Sequence, residues 1–578
     1  MRRRRDDETH GRVRAGDRES RARRRAALAA LLPSRRDYRG LRGGWRADLI
    51  AGITVAIVAL PLALGFGVAS GLGAEAGIVT AIVAGIAAGV FGGSNVQVSG
   101  PTGAMTVVLV PVVASVGPGG VLVVALLAGL LLIVAGAARL GRYAGILPWP
   151  VVEGFTVGIA LLIFLQQVPA ALGVAKPDGE NTAAVAVRAV ADWAGGGWAA
   201  LAVVALVVAI MVGLPRLHRG LPASLVAVAA ATVLTQLTAL DVVPIGAIPS
   251  GLPLPALPDV ALSDVPGLLS AVVAVAALAA IESLLSAKVA DGMADGEPHD
   301  PDRELIGQGV ANVAVSFFGG MPATGAIART AVNVRAGGRT RAATIVHGFV
   351  LLAIVAVLTP LLERVPLAAL AGVLMVTAVR MVEFGTVTRI VRSTRSDAAL
   401  LIATAGATVA FDLVIAVGIG VALAALLALR AMAVSTTFDR DPIASTGTTV
   451  DAEMEHRLLE QHIVAYRLDG ALFFGAAQRF LLELTEVSDV EVVILRLGRL
   501  RVLDSTGAQA LADLIAHLEH RGITVLLASV RPQHLLLLER VGTVDALAHE
   551  NHVLPTIDEA LVHARRHLAR NQRAAVSV

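Results

Sequence analysis

The chain has 578 residues, of which 56% are hydrophobic and only 16% charged, with a mean hydropathy of +0.74. That is too apolar for an ordinary soluble protein of this size, so much of it must lie in lipid. The absence of cysteine excludes disulfides, thiolate metal sites and cysteine nucleophiles. The net charge of +3 is small, but arginines crowd ahead of the first apolar run, from Arg2 to Arg46. Such an arm, beside a membrane span and without interleaved aromatics, suits anionic lipid at a cytoplasmic face and does not suit nucleic acid. The first apolar run starts near Leu49 and outlasts a signal-peptide core, so no cleavable signal is expected.

From there, apolar runs long enough to cross a bilayer recur with short polar breaks. They are Leu49–Ser70, Ile78–Phe91, Val121–Ala138, Val151–Leu172, Ala199–Gly213, Leu225–Leu240, Leu268–Ala287, Thr344–Leu362, Leu367–Val379, Ala398–Phe411 and Leu413–Leu429. Shorter pieces after Pro101, Gly307 and Thr324 bring the total to about fourteen. With the N-terminus inside and alternating spans, the inner connections hold Arg139, Arg142, Arg216, Arg219, Lys288, Arg303, Arg335, Arg339, Arg341, Arg380, Arg389, Arg392 and Arg395. The outer ones hold Lys176, Arg188 and Arg364, as the positive-inside rule requires. One outer connection is proline-rich and acidic, with Asp241, Asp259 and Asp264.

Two interrupted segments stand out against this background. Ser99-Gly100-Pro101-Thr102-Gly103-Ala104-Met105 in the first half is echoed by Met321-Pro322-Ala323-Thr324-Gly325-Ala326-Ile327-Ala328-Arg329-Thr330 in the second. Paired breaks of this kind in the two halves of a membrane protein point to a binding site at mid-depth. Pro101 and Pro322 fit the first turn of a helix, so each is expected to start a half-helix. Such a tip offers unpaired N–H groups and about half a positive charge, and two facing tips would bind an anion. Gly100, Gly103 and Gly325 allow close backbone approach, while Thr102 and Thr324 can cap or donate a hydroxyl hydrogen bond. The bland alternative is that these small residues only pack helices. Arg329, about one and a half turns beyond Thr324, can lend charge to the pocket or its cytoplasmic entrance, or else snorkel to the interface.

Glu282 is the sole ionisable group between Leu268 and Ala287. A charge at a helix centre costs on the order of 3 kcal/mol, so it should face protein and either carry a proton during transport or brace the half-helices. Ser286, one turn on, could hydrogen-bond it or complete a cation site. Gln166 and Gln167 could line a cavity or bond between helices, Asn312 is expected to donate between helices, and Glu153 to sit at the cytoplasmic edge of its span. His10, His218, His299, His347 and the C-terminal histidines show no zinc-ligand spacing, so no metal and no other cofactor is expected.

Past Arg430 the pattern changes. After a polar stretch at Thr436–Glu455, strands are expected at His462–Leu468, Val490–Leu495 and Thr524–Val530, with helices at Gly507–His520, Gln533–Val541 and Thr556–Leu568. This is a small α/β domain. The resulting division is a basic arm at 1–47, a transport domain at 48–435, a linker at 436–458, a C-terminal domain at 459–568 and a tail at 569–578.

Several motifs in order resemble the sulfate permease (SulP) family of anion transporters: Ala51-Gly52-Ile53-Thr54-Val55 with Leu60-Pro61, Val98-Ser99-Gly100-Pro101, Gly154-Phe155-Thr156 with Gln166, Glu282-Ser283-Leu284-Leu285, Glu304-Leu305-Ile306-Gly307-Gln308-Gly309, and the segment ending in Arg329. The tail resembles a STAS domain through Leu503-Asp504-Ser505-Thr506-Gly507. The resemblance implies an all-α polytopic membrane protein of about fourteen segments. These would form a seven-plus-seven inverted repeat, with a core domain moving against a gate domain, followed by a cytoplasmic α/β STAS domain. Together with the residue chemistry above, it gives substrate contacts at Pro101, Thr102, Gly103, Ala104, Thr324, Gly325, Ala326 and Arg329 and coupling at Glu282 and Ser286, and a homodimer in the cell membrane is expected. In bacterial anti-sigma-factor antagonists the turn matching Asp504–Gly507 carries a phosphorylatable hydroxyl, which falls here on Thr506, with Ser505 adjacent. An N-cap would serve equally. Sodium-coupled bicarbonate members of the family place Asp where Glu282 stands and a hydroxyl residue where Ile327 stands, which makes Na⁺ coupling doubtful and favours proton symport. Sulfate is the expected substrate, with bicarbonate, a dicarboxylate or anion exchange as alternatives. No enzyme is expected, since there is no Walker loop or catalytic metal cluster. A membrane-anchored signalling or scaffold protein is the rival class, and it would need neither Glu282 nor the paired breaks.

Overall fold

The computed structural model describes residues 33–38, 41–142, 148–179, 181–193, 196–218, 221–238, 240–258, 265–294, 297–411, 413–434, 437–441, 462–472 and 490–576. The basic arm up to residue 32, most of the expected linker, and Asp259 and Asp264 lie outside these residues. Internal contacts divide the chain into two units, Met1–Val421 and Ala422–Val578.

The first unit is helical. In chain order it runs through α1 (Leu41–Ala69), α2 (Ala74–Phe91), a two-residue strand β1 (Ser99–Gly100), α3 (Gly103–Ala137), α4 (Trp149–Gln166), α5 (Val168–Leu172), α6 (Thr182–Ala191), α7 (Trp198–Leu217) and α8 (Ala223–Thr238). It continues through α9 (Val265–Met293), α10 (Pro301–Phe317), β2 (Thr324–Gly325), α11 (Ile327–Arg335), α12 (Arg341–Leu362), α13 (Leu367–Met381), α14 (Phe384–Ser393) and α15 (Arg395–Ala410), and α16 (Leu413–Val434) runs across the boundary between the two units. Eight helices among the described residues are long and apolar enough to cross a bilayer. Helical backbone within α3 breaks at Gly117 (φ 75°, ψ −175°), a conformation glycine adopts without Cβ strain, and Pro118 then starts the second segment.

Packing sorts these helices into two groups. In one, α3 lies against α9 and α10, α10 against α2, and α12 against α1 and α2; in the other, α4 lies against α13 and α15, and α7 against α8 and α13. Glycines permit the closest crossings. A Cβ on Gly129 of α3 would lie 2.7 Å from the Gly309 carbonyl of α10, and a Cβ on Gly309 2.6 Å from the Gly129 carbonyl. The two backbones therefore touch, which is how helices associate where lipid removes the hydrophobic drive.

The second unit carries a five-stranded sheet in the order β3 (Thr437–Asp441), β4 (Ile463–Leu472), β5 (Val492–Leu503), β6 (Thr524–Ala528) and β7 (Val553–Leu554). β3 pairs antiparallel with β4, and the remaining pairs are parallel. The segment read as linker thus begins with an edge strand, Thr437–Asp441. Helices α17 (Ser505–His520), α18 (Pro532–Val541) and α19 (Ile557–Val576) cover the faces. One apolar layer joins Leu495, Leu497, Leu511, Ile515 and Leu538, and the opposite one joins Ile494, Leu526, Ala560, Ala564 and Leu568. This is the two-faced burial that a parallel sheet requires.

Candidate functional site

The two interrupted segments meet. β1 and β2 pair antiparallel, Ser99 opposite Gly325 and Gly100 opposite Thr324, so residues far apart in sequence share one short ribbon inside the helical unit. A ribbon this short cannot stand alone, and a set of buried polar side chains holds it. Glu304 on α10 accepts from the backbone N–H of Gly93 (2.8 Å) and Ser94 (3.1 Å), and from the amide of Gln97 (3.0 Å). Gln308, one turn on, donates to Ser99 Oγ at 2.6 Å. Asn312 clamps the loop before β2, donating to the Ala323 carbonyl (2.9 Å) and accepting from the Ala323 N–H (2.8 Å). Its other bond goes to the Gln308 carbonyl of its own helix, so it secures a loop and not a neighbouring helix. The Ala326 N–H reaches the Val98 carbonyl at 2.8 Å, and the Thr330 hydroxyl accepts from the Val98 N–H at 3.0 Å.

Each strand leads into a helix tip. Thr102 is the N-cap of α3, its hydroxyl accepting from the Met105 N–H at 3.4 Å, with Gly103 and Ala104 as the first two helical residues. The Thr102 hydroxyl also donates to Glu282 Oε2 at 3.0 Å. Gly103 is in tight contact with Ile163 of α4, which a Cβ would strike. Pro101 thus precedes the cap and does not occupy the first turn.

The second tip differs from the sequence expectation. Pro322 lies five positions before the first residue of α11, because Thr324–Gly325 are drawn into the ribbon and helix cannot begin until Ile327. Thr324 does not cap: its hydroxyl lies 2.9 Å from Ser283 Oγ, and Ser283 Oγ accepts from the Gly325 N–H, also at 2.9 Å. The N-cap position is Ala326, which offers no side-chain acceptor. Arg329 therefore falls in the first turn of α11, at the tip itself and not toward an entrance.

Arg329 is 2% exposed. Its Nη2 donates to the Pro101 carbonyl at 2.5 Å, crossing from one tip to the other. Its Nη1 is buried without a hydrogen-bond partner among the described residues, and lies beside Gly100, where a Cβ would approach it to 2.5 Å. Glu282 and Arg329 thus reach the same Pro101–Thr102 dipeptide, one through the hydroxyl and the other through the carbonyl. Ser286 does not complete this pair; its recorded partner is the Thr330 hydroxyl at 3.3 Å, because Glu282 turns to the α3 tip.

Ser283, Gln97, Gln308 and Thr330 belong to the constellation although sequence reasoning assigned them no site role. The small polar residue beside Glu282 and the four-residue spacing of Glu304, Gln308 and Asn312 along α10 were the available signals. His347 on α12 is fully buried with neither ring nitrogen partnered among the described residues. Gln166 and Gln167 sit where α4 gives way to α5; Gln166 Oε1 and Gln167 Nε2 are likewise unpartnered.

In the second unit Asp504 caps α17, accepting from the Gly507 N–H at 2.7 Å. Ser505 and Thr506 are exposed residues of the first helical turn. The C-terminal histidines depart from expectation: His563 and His567 stand four apart on α19, one above the other, and His552 joins them from the turn before β7. The H-x3-H spacing of His563 and His567 is legible in the chain, contrary to the expectation, and only the turn that brings His552 to them is not.

The sulfate permease family profile matches residues 45–404, and the STAS domain profile residues 458–560. The putative sulfate transporter YvdB of Bacillus subtilis is 33% identical over 511 residues, covering 86% of this chain and 94% of that protein. The bicarbonate transporter BicA of Synechocystis is 32% identical over 524 residues, covering 87% and 91%. Among solved structures, the transmembrane domain of a cyanobacterial BicA superposes with a TM-score of 0.61 at 32% identity, covering 66% of this chain and 98% of that one. The overall structure of SLC26A9 superposes with a TM-score of 0.80 over 96% of both chains at 16% identity, which shows a shared fold. The chain belongs to the sulfate permease family of membrane anion transporters and carries a C-terminal STAS domain.

Proposed function

We propose that the chain is a secondary transporter that carries a small inorganic anion, sulfate first, across the cell membrane together with a proton by alternating access. The observation that carries this reading is Arg329. A buried guanidinium in the first turn of a helix sits at the positive end of the helix dipole, where a cation is disfavoured. The Pro101 carbonyl offsets only part of that charge, and Nη1 has no partner among the described residues. An anion between the tips of α3 and α11 would meet the Nη1 donor, the first N–H groups of Gly103 and Ala104, and the Ala326–Ile327 end of α11. Pro101, Thr102, Gly103, Ala104, Thr324, Gly325, Ala326 and Arg329 shape that place, Thr324 and Gly325 by fixing the ribbon.

Coupling follows from the Thr102–Glu282 bond. An ionised Glu282 repels a second negative charge at the α3 tip and holds the Thr102 hydroxyl toward itself. A proton on Glu282 removes that charge and lets Thr102 turn its hydroxyl to the anion, so proton and anion favour each other's entry. Ser286 supports the α9–α11 contact beside this pair. Ile327 offers no side-chain oxygen, so a hard cation such as Na⁺ lacks a ligand there. Bicarbonate is the second reading, supported by the similarity to BicA at 32% identity.

The basic arm and the STAS domain belong to the cytoplasmic side, and the transporter works as a homodimer in the membrane. Phosphate on Ser505 or Thr506 would be drawn to the start of α17 and could regulate transport. Proteoliposome uptake of labelled sulfate, bicarbonate and a dicarboxylate, with and without imposed H⁺ and Na⁺ gradients, tests the whole reading. Sulfate accumulation driven by an inward proton gradient and indifferent to Na⁺ is expected. Uptake of bicarbonate alone, or flux only against a counter-anion, overturns the substrate or the coupling respectively.

A further inference from the structure

We infer that His552, His563 and His567 form a binding site for a late first-row divalent metal ion, Zn²⁺ first, within the STAS domain. The ring nitrogens that these residues offer all lie within 4.8 Å of one another. His563 Nε2 and His567 Nε2 are 3.3 Å apart. Two imidazoles bound to Zn²⁺ at about 2.0–2.1 Å with tetrahedral angles hold their nitrogens about 3.3–3.4 Å apart, so this edge of the polyhedron is already set. The helix supplies it, because residues four apart on α19 project from one face.

His552 is the independent observation. It is 1% exposed, and neither of its ring nitrogens makes a well-aligned hydrogen bond among the described residues, although the Val525 carbonyl lies near enough to favour its protonated form. Leaving a buried imidazole unpaired is costly, on the order of 1–3 kcal/mol, unless something else takes the lone pair. Its ring packs edge-on to those of His563 (5.4 Å between centroids) and His567 (5.2 Å), with His549 on a further side at 5.5 Å. Burial, and then the neighbouring rings of His567, His563 and His549, push the His552 imidazole down to about 4, with the Val525 carbonyl acting the other way. His567 is lowered as well, first by burial and then by His563, Arg570 and His549. Metal ligation requires neutral imidazole, so these shifts keep His552 and His567 competent at pH values where ordinary histidines are charged.

The donor set selects the ion. Imidazoles without carboxylate or thiolate suit Zn²⁺, Cu²⁺ or Ni²⁺ and not Ca²⁺ or Mg²⁺. Arg570 raises the cost of added positive charge here, which also disfavours ions bound by weak electrostatics alone. The rival explanation is a plain hydrogen bond between the two Nε2 atoms, one protonated and one not, with no ion. A bound ion would tie the turn before β7 to α19, fastening the last helix to the edge of the sheet.

The test uses the full-length protein in detergent, without an oligohistidine tag, exposed to Zn²⁺ at pH 7.5 and desalted. Wild type is expected to retain about one Zn²⁺ per chain, and the double variant His563→Gln/His567→Gln to lose it. These two side chains are half-buried and lie outside the apolar face formed by Ala560, Ala564 and Leu568, so the variant is expected to stay folded. Hydrogen–deuterium exchange of the wild type should show Zn²⁺, but not Mg²⁺, slowing exchange in peptides spanning His549 to Leu568, a readout that stands even if the variant misfolds. Retention should fall away as the pH is lowered from 6.5 toward 4, as protons displace the metal. Equal zinc in wild type and a folded variant, or no Zn²⁺-dependent protection in that segment, overturns the proposal.

Discussion

At Gly103 a helix begins behind a threonine cap whose hydroxyl also meets Glu282, whereas at Ile327 its counterpart begins behind an alanine and carries a buried arginine in its first turn. The two tips share a backbone plan, each entered from one strand of the β1–β2 ribbon. Their side chains are not symmetric: the first tip brings a hydroxyl and a carboxyl, and the second brings the guanidinium. Two similar strand-to-helix breaks can therefore supply two positive dipole ends, while their side chains differ; under the proposed function, coupling falls to the first tip and charge compensation of the anion to the second.

Removing the charge from the second tip should have the largest effect. Arg329→Ala deletes a charge-assisted donor worth about 1.5–3 kcal/mol, which is roughly ten- to a hundredfold in anion affinity. Radioligand binding at constant expression measures it, and unchanged affinity would reduce Arg329 to a brace between the tips. Glu282→Gln keeps an acceptor for Thr102 but cannot ionise. Its uptake should lose the roughly tenfold accumulation that a one-unit inward pH gradient gives a one-to-one symporter. Retained pH-driven accumulation in that variant contradicts coupling at the first tip.

Smaller effects sharpen the contrast. Thr102→Ala removes a cap worth about 1 kcal/mol and should weaken the anion about fivefold, with Thr102→Ser restoring it; equal affinities would show that backbone alone serves the first tip. Ser283→Ala strips an acceptor from the Gly325 N–H and a partner from Thr324, so thermal unfolding should report a loss of about 1–3 kcal/mol. Affinity should hardly change, because the ribbon and not the anion depends on that hydroxyl. A large affinity loss with intact stability would move Ser283 into the site itself.

Much of this was legible in the chain. The echo between Ser99–Met105 and Met321–Thr330, the lone carboxyl at Glu282 and the change of pattern after Arg430 are local signals, readable because apolar periodicity and helix-breaking residues act over a few neighbours. The start of α11 was misplaced because Pro322 looks like a first-turn residue when read alone. Only its neighbours' pairing with β1 delays the helix to Ile327 and turns Arg329 into a tip residue. Asn312 likewise reads as an interhelical donor until the Ala323 loop folds onto it.

The sequence by itself determined the membrane-embedded character, the two-part organisation and the segments that break, since each follows from composition and short-range pattern. Which groups those breaks face was decided by tertiary structure. The contacts of Arg329 with Pro101, Glu282 with Thr102, and His552 with His563 and His567 join residues distant in the chain or split between a turn and a helix. The physical reason is that one-dimensional spacing encodes direction only along a single regular element. Where two elements meet, side-chain partners are set by packing, and buried polar groups take whichever donor or acceptor that packing brings within reach.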